Sequence, residues 1–342
     1  MKNKKILITG SAGFIGFHLV KSLVDLGHNV IGIDNINDYY DVNLKFARLE
    51  QLGISRENAI NFNNLSSSDL YGEQFQFLRI NIEDSKMLSN LFKAQNFDIV
   101  CNLAAQAGVR YSIENPFAYS SSNIVGFLNI LECCRHSNIK RLVYASSSSV
   151  YGNKRQVPFK ENDFVDNPIS LYAATKKSNE LMAYTYSHLY GFETIGLRFF
   201  TVYGPWGRPD MAYFLFTDAI LKNRPIKIYN NGNLSRDFTY IDDIIEGIND
   251  TLLKNSNDRS TYKLYNIGKS SPVQLLDFIK CIEKKIGIVA LKEMLPMQAG
   301  DVHQTWADVS KLQNDYDYKS NTSIEMGVEN FINWYKTYFK LK

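Results

Sequence analysis

The sequence predicts an α/β fold: a doubly wound parallel sheet followed by a smaller α/β substrate lobe. Three observations predict it. Short apolar runs alternate with longer amphipathic segments up to Phe200, which is typical of parallel strands buried on both faces by helices. A glycine-rich turn follows the first run, and Gly and Pro residues interrupt the alternation beyond Phe200. Together these features predict a Rossmann-type domain with its ligand site at the carboxyl ends of the strands.

Each element is predicted from its own run of residues. We predict strands at residues 5–9, 29–34, 75–80, 97–103, 141–145 and 194–200. Helices are predicted, from the helical period of their apolar residues, at residues 14–26, 85–94, 117–136 and 171–190. Residues 39–74 are polar, with a helical piece near 42–52, and we interpret them as a surface insertion after the second strand. The second lobe is predicted to contain helices at 242–253, 272–285 and 323–339, with short strands near 226–229 and 265–267.

Composition and charge exclude several classes of protein. The 38 Lys and Arg residues nearly balance the 35 Asp and Glu residues, for a net charge of +3. That balance does not predict the excess positive charge by which proteins bind nucleic acid or a membrane surface non-specifically. No apolar run approaches the roughly 20 residues of a membrane span, and the first ten residues lack the apolar core of a signal peptide. The cysteines have no metal-binding spacing, so we predict free thiols, no metal site and a cytoplasmic location.

The glycine-rich turn directly after the first predicted strand indicates a dinucleotide site. Gly10, Gly13 and Gly16 permit a tight turn and a close approach of the backbone to a pyrophosphate. The N-terminus of the following helix favours that anion. Asp34 ends the second predicted strand, where a carboxylate can accept from ribose hydroxyls, and the absence of an arginine after it favours NAD over NADP. The predicted cofactor contacts in this region are Gly10, Gly13, Phe14, Ile15, Gly16, Asp34 and Asn35.

Three further residues form a candidate catalytic group. Tyr172 and Lys176 are four residues apart on one face of a predicted helix. A nearby ammonium group lowers the pKa of a phenol from its usual value of about 10, and the phenolate can then take a proton from a sugar hydroxyl while hydride leaves the carbon. Ser147 lies in a run of serines after the strand predicted at 141–145, where its hydroxyl can stabilise developing charge.

The order of these motifs, a GxxGxxG turn, an acid, a serine and YxxxK, resembles the extended short-chain dehydrogenase/reductases, specifically the NAD-dependent nucleotide-sugar epimerases and dehydratases. The resemblance covers residues 5–334 and implies NAD as cofactor. It implies that Ser147 takes the family's Ser/Thr position, that Tyr172 is the base and that Lys176 holds the nicotinamide ribose. It adds cofactor contacts at Asn81, Ile82, Leu103, Ala104 and Ala105.

We therefore predict two domains. Residues 1–200 form the NAD-binding domain, to which residues 237–268 return, and residues 201–342 form the lobe that binds the nucleotide sugar.

The residues that follow Ser147 distinguish reactions within this family. In the family that this chain resembles, the 4,6-dehydratases carry a Thr-Asp-Glu sequence at this position and the UDP-glucuronate decarboxylases carry Thr-Ser-Glu. This chain has Ser147-Ser148-Ser149 there and no carboxylate. Without that acid the simplest reaction is 4-epimerisation. In that reaction C4 of the sugar is oxidised by NAD, the 4-keto sugar rotates within the site, and hydride returns to its other face.

Residues 198–212, together with residues 106–110, resemble the UDP-glucuronate 4-epimerases. A C6 carboxylate needs hydrogen-bond donors, and Ser148, Thr201 and Arg208 can supply two hydroxyls and a guanidinium. We expect such contacts to hold the carboxylate still and to discourage decarboxylation of the 4-keto intermediate.

The family resemblance also implies contacts with the nucleotide and with a second subunit. Arg236 is expected to bind the diphosphate, and Asp301 the nucleotide ribose. The predicted substrate contacts are Arg110, Ser147, Ser148, Thr201, Arg208, Arg236 and Asp301. The resemblance further implies a homodimer, in which helices 117–136 and 171–190 pair across a two-fold axis, and a role in polysaccharide biosynthesis.

The leading hypothesis is a UDP-glucuronate 4-epimerase that forms UDP-galacturonate through a transient 4-keto intermediate. A UDP-glucose or UDP-N-acetylglucosamine 4-epimerase is the second hypothesis, since few side chains set the selectivity of the pocket. A UDP-glucuronate decarboxylase ranks lower. A non-catalytic NAD-binding regulator is the alternative from another class. The joint presence of Ser147, Tyr172 and Lys176 argues against it, because binding NAD alone does not require a general base.

Overall fold

A computed structural model describes residues 3–298 and 301–341 of the chain, with strands and helices numbered in chain order. The strands are β1 (Lys5–Thr9), β2 (Asn29–Asp34), β3 (Leu65–Ser68), β4 (Gly72–Arg79), β5 (Ile99–Asn102), β6 (Arg141–Ser147), β7 (Glu193–Phe199), β8 (Thr201–Tyr203), β9 (Ile226–Ile228), β10 (Ser235–Arg236), β11 (Phe238–Tyr240), β12 (Tyr262–Ile267), β13 (Val273–Gln274) and β14 (Lys292–Met294). The α-helices are α1 (Phe14–Asp25), α2 (Val42–Gln51), α3 (Arg56–Ile60), α4 (Ser85–Gln95), α5 (Tyr111–Glu114), α6 (Pro116–Tyr119), α7 (Phe127–His136), α8 (Leu171–Tyr190), α9 (Ala212–Leu221), α10 (Ile241–Leu253), α11 (Leu275–Ile286), α12 (Ser310–Tyr316) and α13 (Ile324–Tyr338).

The main sheet has the strand order β12-β7-β6-β5-β1-β2-β4-β3. Its strands pair in parallel, except that β3 runs antiparallel to β4 at one edge. The order reverses at β1, which pairs with β2 on one side and β5 on the other. Ligands bind at this reversal in open α/β sheets, outside the carboxyl ends of the strands. The predicted α/β fold with a doubly wound sheet is confirmed.

Both faces of the sheet are buried, as its continuous apolar strands predict. Ile6 and Ile8 of β1 belong to one buried cluster, whereas Leu7 between them belongs to the other. The alternation follows from the two-residue period of a strand. Helices α1 and α10 cover the first face, and α4, α7 and α8 cover the second.

The C-terminal third of the chain contributes to both parts of the molecule. Strand β12 lies within the predicted returning segment 237–268 and pairs with β7 at the edge of the main sheet. The second lobe packs α11 against α9 and α13 and carries the small strand pairs β8–β11 and β9–β14. In residues 3–298 and 301–341, no helix combines the length and hydropathy that crossing a bilayer requires.

The insertion after β2 differs from its interpretation as a surface segment. Helix α2 buries Leu44, Phe46 and Leu49 in the core, and two cations on the same helix, Lys45 and Arg48, are also buried. The polar sequence of the insertion predicts that its charged residues are solvated. Here they share a helix with core positions, because their head groups find acceptors inside the molecule.

The helix predicted over residues 117–136 is interrupted. Helix α6 passes into a π-helical segment, Ser120–Gly126, before α7 begins. Asn123 of this segment is buried, and its amide group bonds the backbone N–H and C=O of Gln106. The wider turn thus places a side-chain amide against the loop after β5, which the apolar period does not reveal.

Candidate active site

A continuous cavity of about 1360 Å³ runs from the glycine-rich turn after β1 into the second lobe. Its walls include residues at the carboxyl ends of several parallel strands, among them Gly10, Leu103, Ser147 and Phe199. A single small-molecule pocket occupies about 300–1,000 Å³. The cavity therefore has room for two ligands side by side.

The glycine-rich turn can be built only without side chains at two positions. Gly10 has φ of +73°, in the region that favours glycine, and a Cβ on Gly16 would lie 2.1 Å from the carbonyl oxygen of Gly10. The turn therefore allows α1 to pack closely against the end of β1. Gly13 precedes the first residue of α1 and lines the cavity, so the unpaired N–H groups of that helix face the space where a pyrophosphate fits.

Asp34 ends β2 beside this turn. Its carboxylate accepts hydrogen bonds from the backbone N–H of Ala12 at 3.2 Å and of Ile36 at 2.8 Å. These bonds aim the carboxylate across the mouth of the turn, where a ribose lies in dinucleotide-binding sheets. The turn, the helix N-terminus and the acid fit a dinucleotide that carries free ribose hydroxyls.

The cavity brings together nearly all of the residues predicted for the two ligands. Those that line it are Gly10, Gly13, Phe14, Ile15, Gly16, Asp34, Asn35, Ile82, Leu103, Ala104, Ala105, Arg110, Ser147, Ser148, Tyr172, Lys176, Thr201, Arg208, Arg236 and Asp301. Asn81 is exposed and lies outside the lining, where its carbonyl accepts from the N–H of Asp84. Its predicted contact with the cofactor therefore stays a prediction. Ala299 and Gly300, which precede Asp301 in the predicted substrate segment, lie outside the described residues.

The serine run divides into different environments. Ser146 donates to the buried carboxylate of Glu180 at 2.6 Å and so faces the interior behind the site. Ser147 caps the short turn that follows β6, accepting from the N–H of Ser149 at 3.2 Å. Its side chain lines the cavity with Tyr172 and is close enough to lower the pKa of that phenol. The structure thus brings the predicted serine and the predicted tyrosine together.

Tyr172 and Lys176 lie one turn apart on α8, with the side chain of Lys176 buried and that of Tyr172 half-buried. Burial raises the pKa of Tyr172, although the hydroxyl of Ser147 and the charge of Arg208 oppose that shift. Burial also lowers the pKa of Lys176 to about 8, and its ammonium donates to the carbonyl of Ala145 at 2.8 Å. The pKa of Tyr172 thus moves in the direction opposite to the one predicted, because burial outweighs the neighbouring groups.

Local contacts fix the position of α8. Ser170 caps the helix by accepting from the N–H of Ala173, one residue beyond Tyr172. Asn123 donates to the hydroxyl of Thr175 at 3.0 Å and to the carbonyl of Gln106 at 3.0 Å. The helix that carries the tyrosine is therefore tied to the loop after β5, which lines the cofactor end of the cavity.

The sugar end of the cavity contains an ion pair that the sequence did not reveal. Arg208 donates through Nε and Nη2 to the Asp210 carboxylate at 3.0 and 2.5 Å. Burial alone would lower the pKa of Arg208, but attraction to Asp210 raises it above its usual value. Asp210 occupies the Nε side of the planar guanidinium, and the Nη1 group points away from it. Ser148 and Thr201 line the same cavity.

A second charged group lines the cavity and consists of Arg110, Arg236 and Asp301. Arg110 lies 3.4 Å from the carboxylate of Asp301 and stands over the ring of Tyr229. Arg236 donates to the carbonyls of Ser235 at 2.9 Å and His303 at 3.3 Å. Burial lowers the pKa of Arg236, with Asp301 opposing that shift. Two guanidinium groups and one carboxylate thus meet where a nucleotide diphosphate is predicted.

Sequence reasoning missed the contribution of the insertion after β2. Tyr39 lines the cavity and donates from its hydroxyl to Asp210 at 3.1 Å. Lys45 also lines the cavity, and Arg48 lies behind its wall. The available signal is the helical spacing, since Arg48 stands four residues after the apolar Leu44 and therefore on its face of the helix.

Comparisons with known proteins agree with this geometry. A model of the NAD dependent epimerase/dehydratase family matches residues 6–268. The chain is 52% identical to Protein CapI of Staphylococcus aureus over 98% of its length and 99% of that protein. It is 44% identical to the probable UDP-glucuronate 4-epimerase of Rhizobium meliloti, over 97% of this chain and 96% of that protein.

A solved structure shares the fold over nearly the full length of both chains. The UDP-glucuronic acid 4-epimerase of Bacillus cereus, in complex with UDP-glucuronic acid and NAD, matches with a TM-score of 0.87 and 34% identity. The match covers 98% of this chain and 99% of that chain.

Proposed function

This chain belongs to the NAD dependent epimerase/dehydratase family, and on that premise we propose that it interconverts UDP-glucuronate and UDP-galacturonate. It is an NAD-dependent nucleotide-sugar 4-epimerase, as its relatives and its match to an epimerase with bound NAD and nucleotide sugar indicate. The remaining question is which sugar it takes, and that depends on the groups that face C6.

The observation that carries the uronate proposal is Arg208, which lines the sugar end of the cavity with its side chain 23% exposed. A guanidinium is a strong bidentate partner for a carboxylate. Asp210 accepts from Nε and Nη2, which leaves the Nη1 group available to a second acceptor. Ser148 and Thr201 line the same space and offer hydroxyl donors. A neutral hexose has no charge to match this guanidinium, whereas a uronate does.

We assign the proton transfer at C4 to Tyr172, assisted by Ser147 and Lys176. When bound, NAD supplies the acceptor and later the donor of hydride. Tyr172 removes the proton from the C4 hydroxyl, and the Ser147 hydroxyl stabilises the charge that develops on that oxygen. The raised pKa of Tyr172 keeps the phenol protonated in the free protein. Positive charge brought close by the cofactor, together with Lys176, favours the phenolate when the site is filled.

The absence of an acid beside Ser147 supports epimerisation over elimination or decarboxylation. Positions 148 and 149 are serines, and the nearby carboxylate of Asp210 is paired with Arg208. The pKa of Asp210 is lowered, because attraction to Arg208 outweighs the effect of its burial. An ionised, paired carboxylate is a poor proton donor, so Asp210 is unsuited to the work of a general acid.

We place the nucleotide diphosphate against Arg236, with the nucleotide ribose near Asp301 and Arg110. Arg236 is half-buried and lines the cavity, so its guanidinium is available to an anion within reach. The cofactor contacts at the glycine turn, Asp34 and the loop after β5 are proposed on the same basis.

The division into domains at residue 200, with residues 237–268 returning to the first domain, likewise stays a proposal, which the pairing of β12 with β7 supports.

We further propose a cytoplasmic homodimer that serves polysaccharide biosynthesis. The outward faces of the π-helical segment, α7 and α8 expose Val125, Leu128, Leu181, Tyr184 and Leu189. Apolar side chains clustered on adjacent helices are typical of a subunit interface. The cysteines of the chain are free thiols, which fits a reducing compartment. Light scattering of Leu181→Lys against the wild type tests the dimer: a dimeric variant contradicts the interface.

The substrate is tested by NMR of the purified protein with UDP-glucuronate, UDP-glucose and UDP-N-acetylglucosamine in parallel. We expect the galacto epimer from the uronate only. Equal or faster conversion of a neutral sugar contradicts the uronate proposal and favours the hexose alternative. A pentose product favours a decarboxylase, and no turnover of any substrate favours an NAD-binding regulator.

A further inference from the structure

Arg48 is a charged residue whose burial the proposed chemistry leaves unexplained. Its side chain is 0% exposed and lies behind the cavity wall, not in it. Every acceptor that it contacts is neutral. Burying a guanidinium without a carboxylate partner is unfavourable unless all of its donors are satisfied. The position therefore needs a reason.

The contacts of Arg48 supply that reason, because they join three separate segments. Nη1 donates to the carbonyl of Ala12 in the glycine-rich turn at 2.9 Å and to the hydroxyl of Tyr40 at 2.7 Å. Nε and Nη2 donate to the carbonyl of Trp206 at 3.1 and 2.7 Å, and Nη2 also reaches the carbonyl of Gly207 at 3.3 Å. Every nitrogen of the guanidinium thus donates, and Nε and Nη2 donate to the segment that precedes Arg208.

The segment held in this way has an unfavourable backbone. Trp206 has φ of +60°, a left-handed conformation that a residue with a large side chain adopts rarely and under strain. His18 of α1 bonds the carbonyl of the preceding residue, Pro205, at 3.0 Å. Successive carbonyls at 205, 206 and 207 are therefore bound by side chains of the cofactor-binding half, and not by the second lobe.

We propose that Arg48 is a positioning residue that presents Arg208 to the sugar and thereby determines the preference for an anionic C6 group. It acts through the turn at residues 205–207, which it holds in the strained conformation that directs Arg208 into the cavity. The inference rests on the proposed function, because the charge of Arg208 matters only if the sugar carries a carboxylate. Arg48 itself touches neither ligand.

The test measures binding, so that catalysis does not enter. NAD-loaded protein carrying Tyr172→Phe is titrated by calorimetry with UDP-glucuronate and with UDP-glucose. The readout is the Kd for UDP-glucose divided by the Kd for UDP-glucuronate, which measures the preference for UDP-glucuronate. Arg48→Lys keeps the charge, but a single ammonium cannot hold Ala12 and Trp206 in the geometry of the planar fork. We expect the preference for UDP-glucuronate to fall at least tenfold.

Arg79→Lys is the matched control. Arg79 also donates to backbone carbonyls of the cofactor-binding half, those of Asn35 at 3.0 Å and Ile60 at 2.7 Å, but its partners lie away from the turn before Arg208. The preference for UDP-glucuronate should be unchanged in this variant. An equal loss of preference in both variants would mean that losing any arginine bound to backbone carbonyls has this effect, which contradicts the proposal.

A double-mutant cycle separates a positioning role from a general structural one. In an Arg208→Ala background, Arg48→Lys should leave the ratio of Kd values unchanged, since the residue through which it acts is gone. Additive effects of the two substitutions on the ratio contradict the inference. If Arg48→Lys does not yield folded, NAD-loaded protein, Tyr40→Phe takes its place in the cycle: it removes one acceptor of Arg48 and should lower the ratio in the same direction.

The outcomes distinguish this inference from the function on which it rests. A parent protein that binds UDP-glucuronate and UDP-glucose equally overturns the proposed function. A parent that prefers UDP-glucuronate, with that preference intact in Arg48→Lys, overturns the positioning role alone.

Discussion

The hydroxyl of Tyr39 donates a 3.1 Å hydrogen bond to the carboxylate of Asp210, 171 residues further along the chain. This bond connects the insertion after β2 to the loop that carries Arg208. Both residues lie in the cavity wall. The insertion therefore closes the sugar end of the site and also borders the cofactor end.

Removing this bond should weaken sugar binding without stopping the reaction. A hydrogen bond to a charged acceptor contributes about 1.5–3 kcal/mol, and Tyr39→Phe leaves Asp210 with Arg208 as its remaining side-chain partner. We expect the KM for UDP-glucuronate to rise roughly ten- to hundredfold with little change in kcat. Steady-state kinetics provide the measurement, with Tyr184→Phe on the outer face of α8 as the control. A fall in kcat at unchanged KM would contradict this role.

Tyr172→Phe should abolish turnover and retain NAD. The substitution removes the hydroxyl that takes the C4 proton while leaving the aromatic ring in place, and general-base contributions are of order 10²–10⁴-fold. The NAD content of the purified variant is measured by absorbance after denaturation, and its turnover by NMR. A variant that loses NAD, or that turns over near the wild-type rate, excludes Tyr172 as the base.

Arg208→Ala should change what the enzyme makes as well as how fast. Without the guanidinium the C6 carboxylate of the 4-keto intermediate is free to rotate into the alignment that releases CO₂, and Asp210 loses its cationic partner. We expect the KM for UDP-glucuronate to rise at least tenfold and a pentose to appear among the products by NMR. Unchanged turnover and an unchanged product ratio would show that the carboxylate is held elsewhere.

Glu180→Gln should destabilise the fold more than a surface substitution does. Glu180 and Arg198 form a bidentate pair, with both distances 2.8 Å and both side chains almost fully buried. Breaking such a pair from one side leaves an uncompensated charge and costs about 3–5 kcal/mol. The free energy of unfolding in urea is the measurement, and Asp25→Asn in the exposed pair with Lys21 is the control. Equal stability of the two variants contradicts the expectation.

The free energy of unfolding should fall as the pH drops from about 6.5 to 4. Burial lowers the pKa of His18 to about 4, so the unfolded chain takes up a proton in this range and the folded chain does not. Stability from this source is complete above pH 6.5 and declines by about 1.4 kcal/mol for each pH unit below it. His18→Gln should flatten the decline relative to the wild type, and His188→Gln, an exposed site, should not. Parallel stability curves for wild type and His18→Gln contradict the assignment.

The sequence sufficed for the sheet, the glycine turn and the YxxxK helix because each is encoded by neighbouring residues. The apolar runs at β1 and β2 and the turn between β1 and α1 need no distant partner to be recognised. Arg48 and Asp210 could not be found in the same way. The helical spacing from Leu44 indicates that Arg48 faces inward, but it does not reveal the partners of Arg48. Both roles depend on contacts between residues far apart in the chain, such as Arg48 with Trp206.

The pKa of Tyr172 illustrates the same limit in chemical terms. The spacing from Lys176 correctly indicated a shared helix face, but the direction of the shift depends on how completely both groups are buried. Burial is a property of the folded chain, and it exceeds the effect of the neighbouring hydroxyl and guanidinium.

The attachment of the turn at 205–207 to the cofactor-binding half has a consequence for protein engineering. Exchanging only the residues that touch the sugar would transplant Arg208 without the support that orients it. A neutral-sugar epimerase given uronate specificity must also receive α2 with its buried arginine and the tyrosines before it. Recipient scaffolds whose loop after β2 is short have no place for them, which makes the length of that loop a first criterion in choosing one.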